Sequence, residues 1–346
     1  MPNVTLKIDD QNWDGWTSIR IVRSIKQAAN TFDLELTDRW VGQDQARPIR
    51  DDSKCQVLID DELVISGYVF EVSPSYDQGS HSISVSGLSS AADLVDCSTK
   101  GQQFSGRNLL QIASALAAPF GIAVTAETDI GGPFAKVALE AGQSIFDFLN
   151  ELSRIRGVRV VSKADGSIVF IRTGTAVAPT ALEFGKNIKS ASARFSTSER
   201  FSEYRVLGQT SGTDRSYGNN AAHAEALAKD ANLRYRPICI TADGPANTAD
   251  CKIRSAAELN RRTGEGQTIS YVVQGWRHAN GLWEPNVLVD VNDRFFNKST
   301  RLLISQVTFS IDDSGGTVTT LDVAPPQAFD LLPLPEPAAH GNNGGF

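Results

Sequence analysis

The sequence predicts a mainly β protein with an α+β insertion. Three observations carry this. Apolar and polar residues alternate through residue 98 and again after residue 177, the pattern of strands with one buried face. Between these regions, apolar residues recur at helical spacing in two segments. Strand-like runs follow one another closely, separated by Gly-, Asn- and Asp-bearing turns, as in a barrel or sandwich. The expected units are a first β-barrel domain over 1–99, an α+β domain over 100–176, a second β-barrel domain over 177–328, and a Pro/Gly-rich tail over 329–346.

In the first unit, VTLKI (Val4 to Ile8) alternates, and WTSIRIVRSI (Trp16 to Ile25) sets Ile19, Ile21 and Ile25 against Arg20 and Arg23. TFDLELTD turns Phe32, Leu34 and Leu36 inward and Asp33, Glu35 and Thr37 outward. A hairpin follows about Asp60-Asp61-Glu62, with Val57 and Ile59 before the turn, Val64 and Tyr68 after it, and Gly67 as a bulge. Ser80 to Gly87 is the next strand, and Ser89 to Asp96 a helical or irregular corner.

The α+β unit opens with a helix capped by Ser105 and running through Phe120. Leu109, Ile112, Ala113, Leu116, Ala117 and Phe120 form its apolar face, and Gly121 stops it. GIAVTAE reads as a short strand, and Gly131-Gly132-Pro133 breaks the chain. A second helix starts at Ser144, with Asp147 at capping-box spacing. Ile145, Phe148, Leu149, Leu152 and Ile155 are its buried stripe, and Gly157 ends it. A hairpin about Ala164-Asp165-Gly166 completes the unit.

Gly174 to Pro179 is a linker of small residues. Then ALEFG, KSASARFSTSERFSEYRVLGQ and YRPICITA read as β. Within Gly208 to Asp230, TSGTDRSYGNN reads as a loop and AAHAEALAKDA as a short helix. A longer helix is expected from about Ala249 to Thr263, with Ile253, Ala256, Ala257 and Asn260 on one side and Gly264 as its stop. Thr268 to Val291 reads as a hairpin: Ile269, Tyr271 and Val273, a turn at Ala279-Asn280-Gly281, then Val287, Val289 and Val291. Trp276 and Trp283, two of the five tryptophans, bracket that turn, which suits an anchor of packing rather than of chemistry. RLLISQVTFSID and TVTTLDVAPP form two more strands about Asp313 to Gly316. The tail, Phe329 to Phe346, reads as extended, either disordered or docked, in which case it is expected to lie against a partner or a neighbouring subunit.

Lys plus Arg number 33 against 40 Asp plus Glu, a net charge of −7. A dedicated duplex-binding protein shows a basic footprint instead. No apolar run is long enough to span a bilayer, and MPNVTLKIDD enters a strand directly, without a secretory leader. Cys55, Cys97, Cys239 and Cys251 form no CxxC and read as buried reduced thiols. His81, His223, His278 and His340 match no zinc spacing.

The search for chemistry returns structural readings. Gly87-Leu88-Ser89-Ser90-Ala91 is half of a nucleophile elbow without its final Gly. Phosphate-binding glycine motifs are absent. Asp51-Asp52, Asp60-Asp61-Glu62 and Asp312-Asp313 lie in or beside turns, where carboxylates are solvated and do not face one another across a cleft as an acid–base pair must. His278 beside Trp276 reads as the cap of a barrel end or as filling an interface; Arg261-Arg262 and Arg194, Arg200 and Arg205 read as solvated or interfacial charge. The sequons at Asn3 and Asn297 carry no weight without a secretory route. No residue is expected to be catalytic, cofactor-binding or metal-binding, and no cofactor is expected.

The order and spacing of several segments resemble the baseplate hub proteins of Mu-like contractile-tailed bacteriophages. They are GWTSIRIVRSI with FDLEL, ISGYV, ISVSGLSSAADLVDCS, QIASALAAPFGIAV, SIFDFLNELSRIRGV with DGSIVF, ERFSEYRVLGQ, RYRPICI, QGWRHANGLWEPNVLV, and RLLISQVTFSIDDSGGTVTTL with PPQAF. The resemblance implies two tail-tube-like β-barrels per chain and a homotrimeric ring in the virion baseplate, made in the host cytoplasm. That ring would join a hexameric tail tube to a trimeric central spike, touch wedge or other tail proteins, and pass DNA without specific binding. The type VI secretion spike shares the hub part, so the hub of a bacterial injection device or a prophage remnant stands as the alternative. A hub with peptidoglycan hydrolase activity is the enzymatic one.

Overall fold

One hydrogen-bonded path of strands runs through both β regions. The computed structural model describes residues 2–9, 11–37, 49–77, 81–209, 224–311 and 316–334. The first region contributes β1 (Val4–Ile8), β2 (Gln11–Trp13), β3 (Ser18–Ser24), β4 (Thr31–Thr37), β5 (Lys54–Ile59), β6 (Glu62–Tyr76) and β7 (His81–Ser89). All pair antiparallel, in the order β3-β4-β7-β6-β5-β1-β2. The alternation does what it promised: Leu6, Phe32, Leu34, Val57, Ile59 and Val85 are buried on one face. Gly67 does not mark the bulge. The register shifts fall between Val57 and Leu58 and between Val69 and Glu71. Gly67 is small because a Cβ there would run into the Leu88 carbonyl.

The inserted unit holds α1 (Ala92–Asp96), β8 (Gln102–Arg107), α2 (Leu109–Ala117), β9 (Val124–Ala126), β10 (Phe134–Leu139), α3 (Ile145–Arg156), β11 (Arg159–Ser162) and β12 (Ile168–Ile171). α2 and α3 bury most of the expected stripes, but α2 ends at Ala117, a 3-10 turn (Ala118–Phe120) takes the chain to Gly121, and Phe120 and Ile155 are only partly buried. The cap of α2 is Asn108, whose side chain accepts from Gln111 N at 2.9 Å and whose own N–H donates to Gln111 Oε1 at 3.0 Å. Ser105 instead lies within β8, which pairs with β10; neither strand was expected. Ser144 caps α3, and Gly157 closes it at φ +64.

The last region holds β13 (Leu182–Glu183), β14 (Ile188–Phe195), β15 (Glu203–Gln209), β16 (Ala224–Lys229), β17 (Pro237–Pro245), α4 (Thr248–Glu265), β18 (Gln267–Gln274), the short pair β19 (Arg277–His278) and β20 (Gly281–Leu282), β21 (Leu288–Asp293), β22 (Lys298–Ile311) and β23 (Val318–Ala324). The path β14-β18-β23-β22 continues into β3, with Gln306 opposite Ser24 and Ile311 opposite Ile19; β21 and β13 branch from β22. Residues of both β regions therefore share one core, Phe32 and Val85 with Tyr271, Val289 and Phe309. Among the described residues the pairing is an open path, and the fold is mainly β with few helices and several domains.

Four expectations for this region are corrected. The arms of the Trp-bracketed segment do not pair with each other: β18 lies between β14 and β23, and β21 pairs with β22 and β13. The described part of AAHAEALAKDA is not helical but strand β16, paired with β15. β15, β16 and β17 form a separate sheet beside α4 rather than joining the main one. α4 runs through Gly264 to Glu265, with Asn247 as its cap. It buries Cys251, Ser255, Glu258 and Gly264, and leaves Ile253 exposed. Gly264 is a contact position, where a Cβ would strike Ala328. TSGTDRSYGNN, Asp312-Asp313, His223, His340 and residues 335–346 lie outside the described residues.

Candidate assembly surfaces

The residues weighed for chemistry are occupied in holding the fold. The Ser89 hydroxyl accepts from Asn30 N and from the Ser162 hydroxyl, each at 3.0 Å, and Ser89 N donates to the Asn30 carbonyl at 2.9 Å. It is fully buried and joins the first sheet to the inserted unit. Asp60 and Asp61 adopt left-handed φ of 47° and 66°, and the Asp60 carboxylate accepts from Asn3 N at 2.8 Å. Arg200 pairs with Asp230 at 2.6 Å and Arg205 with Glu225 at 3.3 Å. Arg261 and Arg262 converge on Glu258, at 2.9 and 3.2 Å. Arg194 is exposed on β14.

His278 Nδ1 accepts from Asn280 N at 3.1 Å, and its ring meets Trp283 edge-on at 5.0 Å. Burial lowers its pKa, against the pull of Glu284. The cleft beside it, lined by Glu62, Trp283 and Val287 among others, holds only about 210 Å³, below the usual range of ligand sites. Among the described residues no His/Cys/Asp/Glu group is arranged to hold a metal ion. No helix there is long and apolar enough to cross a membrane. The thiols are free; Cys55 and Cys251 are buried as expected, but Cys239 is exposed and Cys97 half-buried. Burial pushes the Cys55 thiol up to about 12.

The contacts that matter for assembly lie between the β regions and the insertion. Trp276 is buried, and its Nε1 donates to the Val318 and Ser310 carbonyls at 3.0 and 3.3 Å. Next to it Arg277 reaches across to Glu62 at 3.0 Å and Asp60 at 3.5 Å. The turn carboxylates of the first region thus clasp the Trp loop of the last. The Asn286 amide donates to the Arg172 carbonyl at 3.0 Å and accepts from Gly174 N at 2.9 Å, tying the linker to the last region. None of Asn30, Ser162, Asn286 or Glu258 stood out in the sequence. Single polar residues at strand ends and on helices carry no periodic signal.

The described start of the tail lies on its own chain, which corrects the expectation for that part. Phe329 is buried with Ile25, Val161, Val169 and Leu303. Lys26 and Arg159 stand over its ring at 5.8 and 5.6 Å. Leu334 N donates to the Ile155 carbonyl at 3.1 Å. A Cβ on Gly157 would press on Leu331 and Pro333.

Three family models match: Mu phage baseplate assembly protein GpP-like, N-terminal, over residues 3–89; baseplate hub protein gp44-like, second domain, over 91–172; and Mu phage baseplate assembly protein GpP, fourth domain, over 247–332. Against the baseplate hub protein gp44 of Escherichia phage Mu, the chain is 31% identical over 343 residues, which is 96% of this chain and 89% of that protein. The chain belongs to the Mu-type baseplate hub family. It is a baseplate hub component of a Mu-like contractile tail, a virion protein of a structural and generally non-enzymatic family. The hub chain is similar to the 43 kDa tail protein of prophage MuSo2 from Shewanella oneidensis, at 35% identity and a TM-score of 0.84, covering 95% of this chain and all of that one (100%). A tail protein from Neisseria meningitidis MC58 superposes with a TM-score of 0.80 at 23% identity, covering 95% and 98%. A component of the E. coli type VI secretion system shares the fold alone, at 13% identity and a TM-score of 0.59, covering 96% and 80%.

Proposed function

We propose that the hub chain forms a homotrimeric ring that joins the hexameric tail tube to the central spike and encloses a channel for DNA ejection. In this reading each β region is one tube-like barrel. The observation that supports it best is the β22–β3 junction, which fuses two β regions into one rigid sheet per chain. Three such chains offer six comparable units, which resolves the mismatch between a threefold spike and a sixfold tube. The net charge of −7 suits a channel, because phosphate contacts by Lys and Arg would add affinity and slow passage. The partners are itself, the tail tube protein, the spike, and wedge or other tail proteins. DNA passes without specific binding, and the chain carries no catalytic, cofactor or metal site.

The mass of the purified protein in solution, measured over a range of concentrations and followed by imaging with tube and spike proteins, tests this. Three-chain particles that appear as rings and bind both partners are expected. A monomer at every concentration, forming no ring and binding neither partner, overturns the reading.

A further inference from the structure

The turn between β21 and β22 places two adjacent phenylalanines at the surface. Phe295 is 75% exposed; Phe195, at the end of β14, is 56% exposed, and Phe184, after β13, is 42% exposed. Ring contacts through the half-buried Phe296 join Phe295 and Phe195 into one patch, and Arg294, next to Phe295 in the chain, reaches Phe184. Phe296 lies 5.1 Å from Phe295 and 6.3 Å from Phe195, and Tyr271 supports it from the core at 6.5 Å. Arg294 stands over Phe184 at 4.8 Å, and Lys298 over Phe195 at 5.6 Å. The turn is held in this shape: the buried Asp293 carboxylate accepts from Phe295 N at 2.8 Å and Phe296 N at 3.3 Å, and Asn297 takes a left-handed φ of 52°. A contiguous apolar patch rimmed by charge marks an interaction surface. Its rim is basic, with Arg294 and Lys298, while Glu183 is paired with Lys186.

The complementary chemistry stands on the first β region. Phe70 is exposed there, and Val95 is exposed on α1, where the insertion begins. Asp52 N donates to the carbonyl of Val69, the neighbour of Phe70. Val95 sits on α1 between Asp93 and Asp96. Burial, and then the like charges of Asp52 and Asp96, raise the pKa of Asp93, so these carboxylates share one field. Asp51, Asp52 and Asp96 are exposed, with Arg50 and Lys54 flanking them in sequence. β14 ends the strand path, whereas β5 and β6 lie near its other end.

We propose that the aromatic, basic patch of one chain docks on the apolar, acidic patch of a second copy, head to tail around the ring. This rests on the trimer reading and names the surfaces that build it. A contact between two different patches closes into a ring when its rotation closes. Opposite charges around the apolar centres fix the register, and the phenyl rings gain by leaving water.

Charge reversal tests it. Arg294→Glu with Lys298→Glu, and separately Asp52→Arg with Asp96→Arg, are each expected to raise the concentration for half-association at least tenfold. Combining all four in one chain is expected to restore it. Thermal unfolding of each variant shows that it is folded, and Phe295→Ser, at an exposed position, is expected to weaken association without lowering the melting temperature. If the wild type forms trimers and no variant weakens them, this inference falls while the ring stands, and the patch faces a different partner, tube protein or nucleic acid. A wild type that never associates overturns both readings.

Discussion

Arg200 and Asp230 show how one ion pair can hold a unit that has little apolar core. Among the described residues, the three-stranded sheet and α4 enclose a small cluster of Val206, Ala224, Ala246 and Cys251. Asp230 is buried; besides Arg200 it accepts from Asn232 N at 3.0 Å, and its own N–H donates to the Ser202 carbonyl at 2.9 Å. Replacing Asp230 with Ala strands a largely buried guanidinium, which should cost about 3–5 kcal/mol in urea unfolding; an unchanged midpoint would show the pair to be dispensable. The same pair gives a pH signature. Burial alone would raise the Asp230 carboxyl, but the hydrogen bonds from Arg200 and Asn232 and the Arg200 charge together outweigh it and hold the pKa below the ordinary 3.8. Glu258 is likewise held below 4.5 by Arg261 and Arg262 against its burial. A depressed folded-state pKa adds stability that is fully present above the unfolded value and is lost as pH falls through the folded one. The unfolding midpoint should therefore hold down to about pH 4.5 and drop below it, and Asp230→Asn should flatten part of that drop.

At the scale of the element, the Trp loop is the sharpest case of sequence and structure agreeing on importance and differing on form. The two tryptophans are legible as packing, and both are buried. The pairing is not legible, because β18 finds its neighbours β14 and β23 from distant parts of the chain. Trp276→Ala should cost about 3–5 kcal/mol, read as a lower denaturant midpoint. It removes a ring that packs on Phe309 at 5.8 Å and that holds two carbonyls. A variant as stable as wild type would mean that the loop does not anchor the last region. α2 and α3 are legible because their buried stripes are apolar. α4 is misphased because its buried side carries Ser255 and Glu258, whose carboxylate is satisfied by Arg254, Arg261 and Arg262; hydropathy counts that face as solvent. AEALAK has residues that favour helices, yet pairing with β15 overrides a propensity of tenths of a kcal/mol per residue. β8 shows one buried residue in six, too little alternation to announce a strand. The assembly surfaces are legible least of all. Arg277 meets Asp60 and Glu62 across most of the chain, and Phe184, Phe195 and Phe295 come from three separate segments.

For the whole molecule, the question is what makes two β regions and an insertion move as one body. The β22–β3 ladder supplies the backbone of the answer, and Phe329 supplies a wedge. Its ring sits where Ile25 of the first region, Val161, Val169 and Ile171 of the insertion, and Leu303 and Ala324 of the last region meet. Losing it removes a large buried side chain and opens all three contacts at once, while the Arg159 guanidinium loses the Phe329 carbonyl it donates to at 3.3 Å. A chain ending at Gln327 should therefore lose about 3–5 kcal/mol, and its insertion should become sensitive to protease at lower temperature. A chain ending at Leu334 keeps Phe329 and the Leu334–Ile155 hydrogen bond, and should unfold at the same midpoint as the full chain. If the two truncations behave alike, the wedge is not what couples the units. If only the shorter one fails, the start of the tail belongs to the subunit itself.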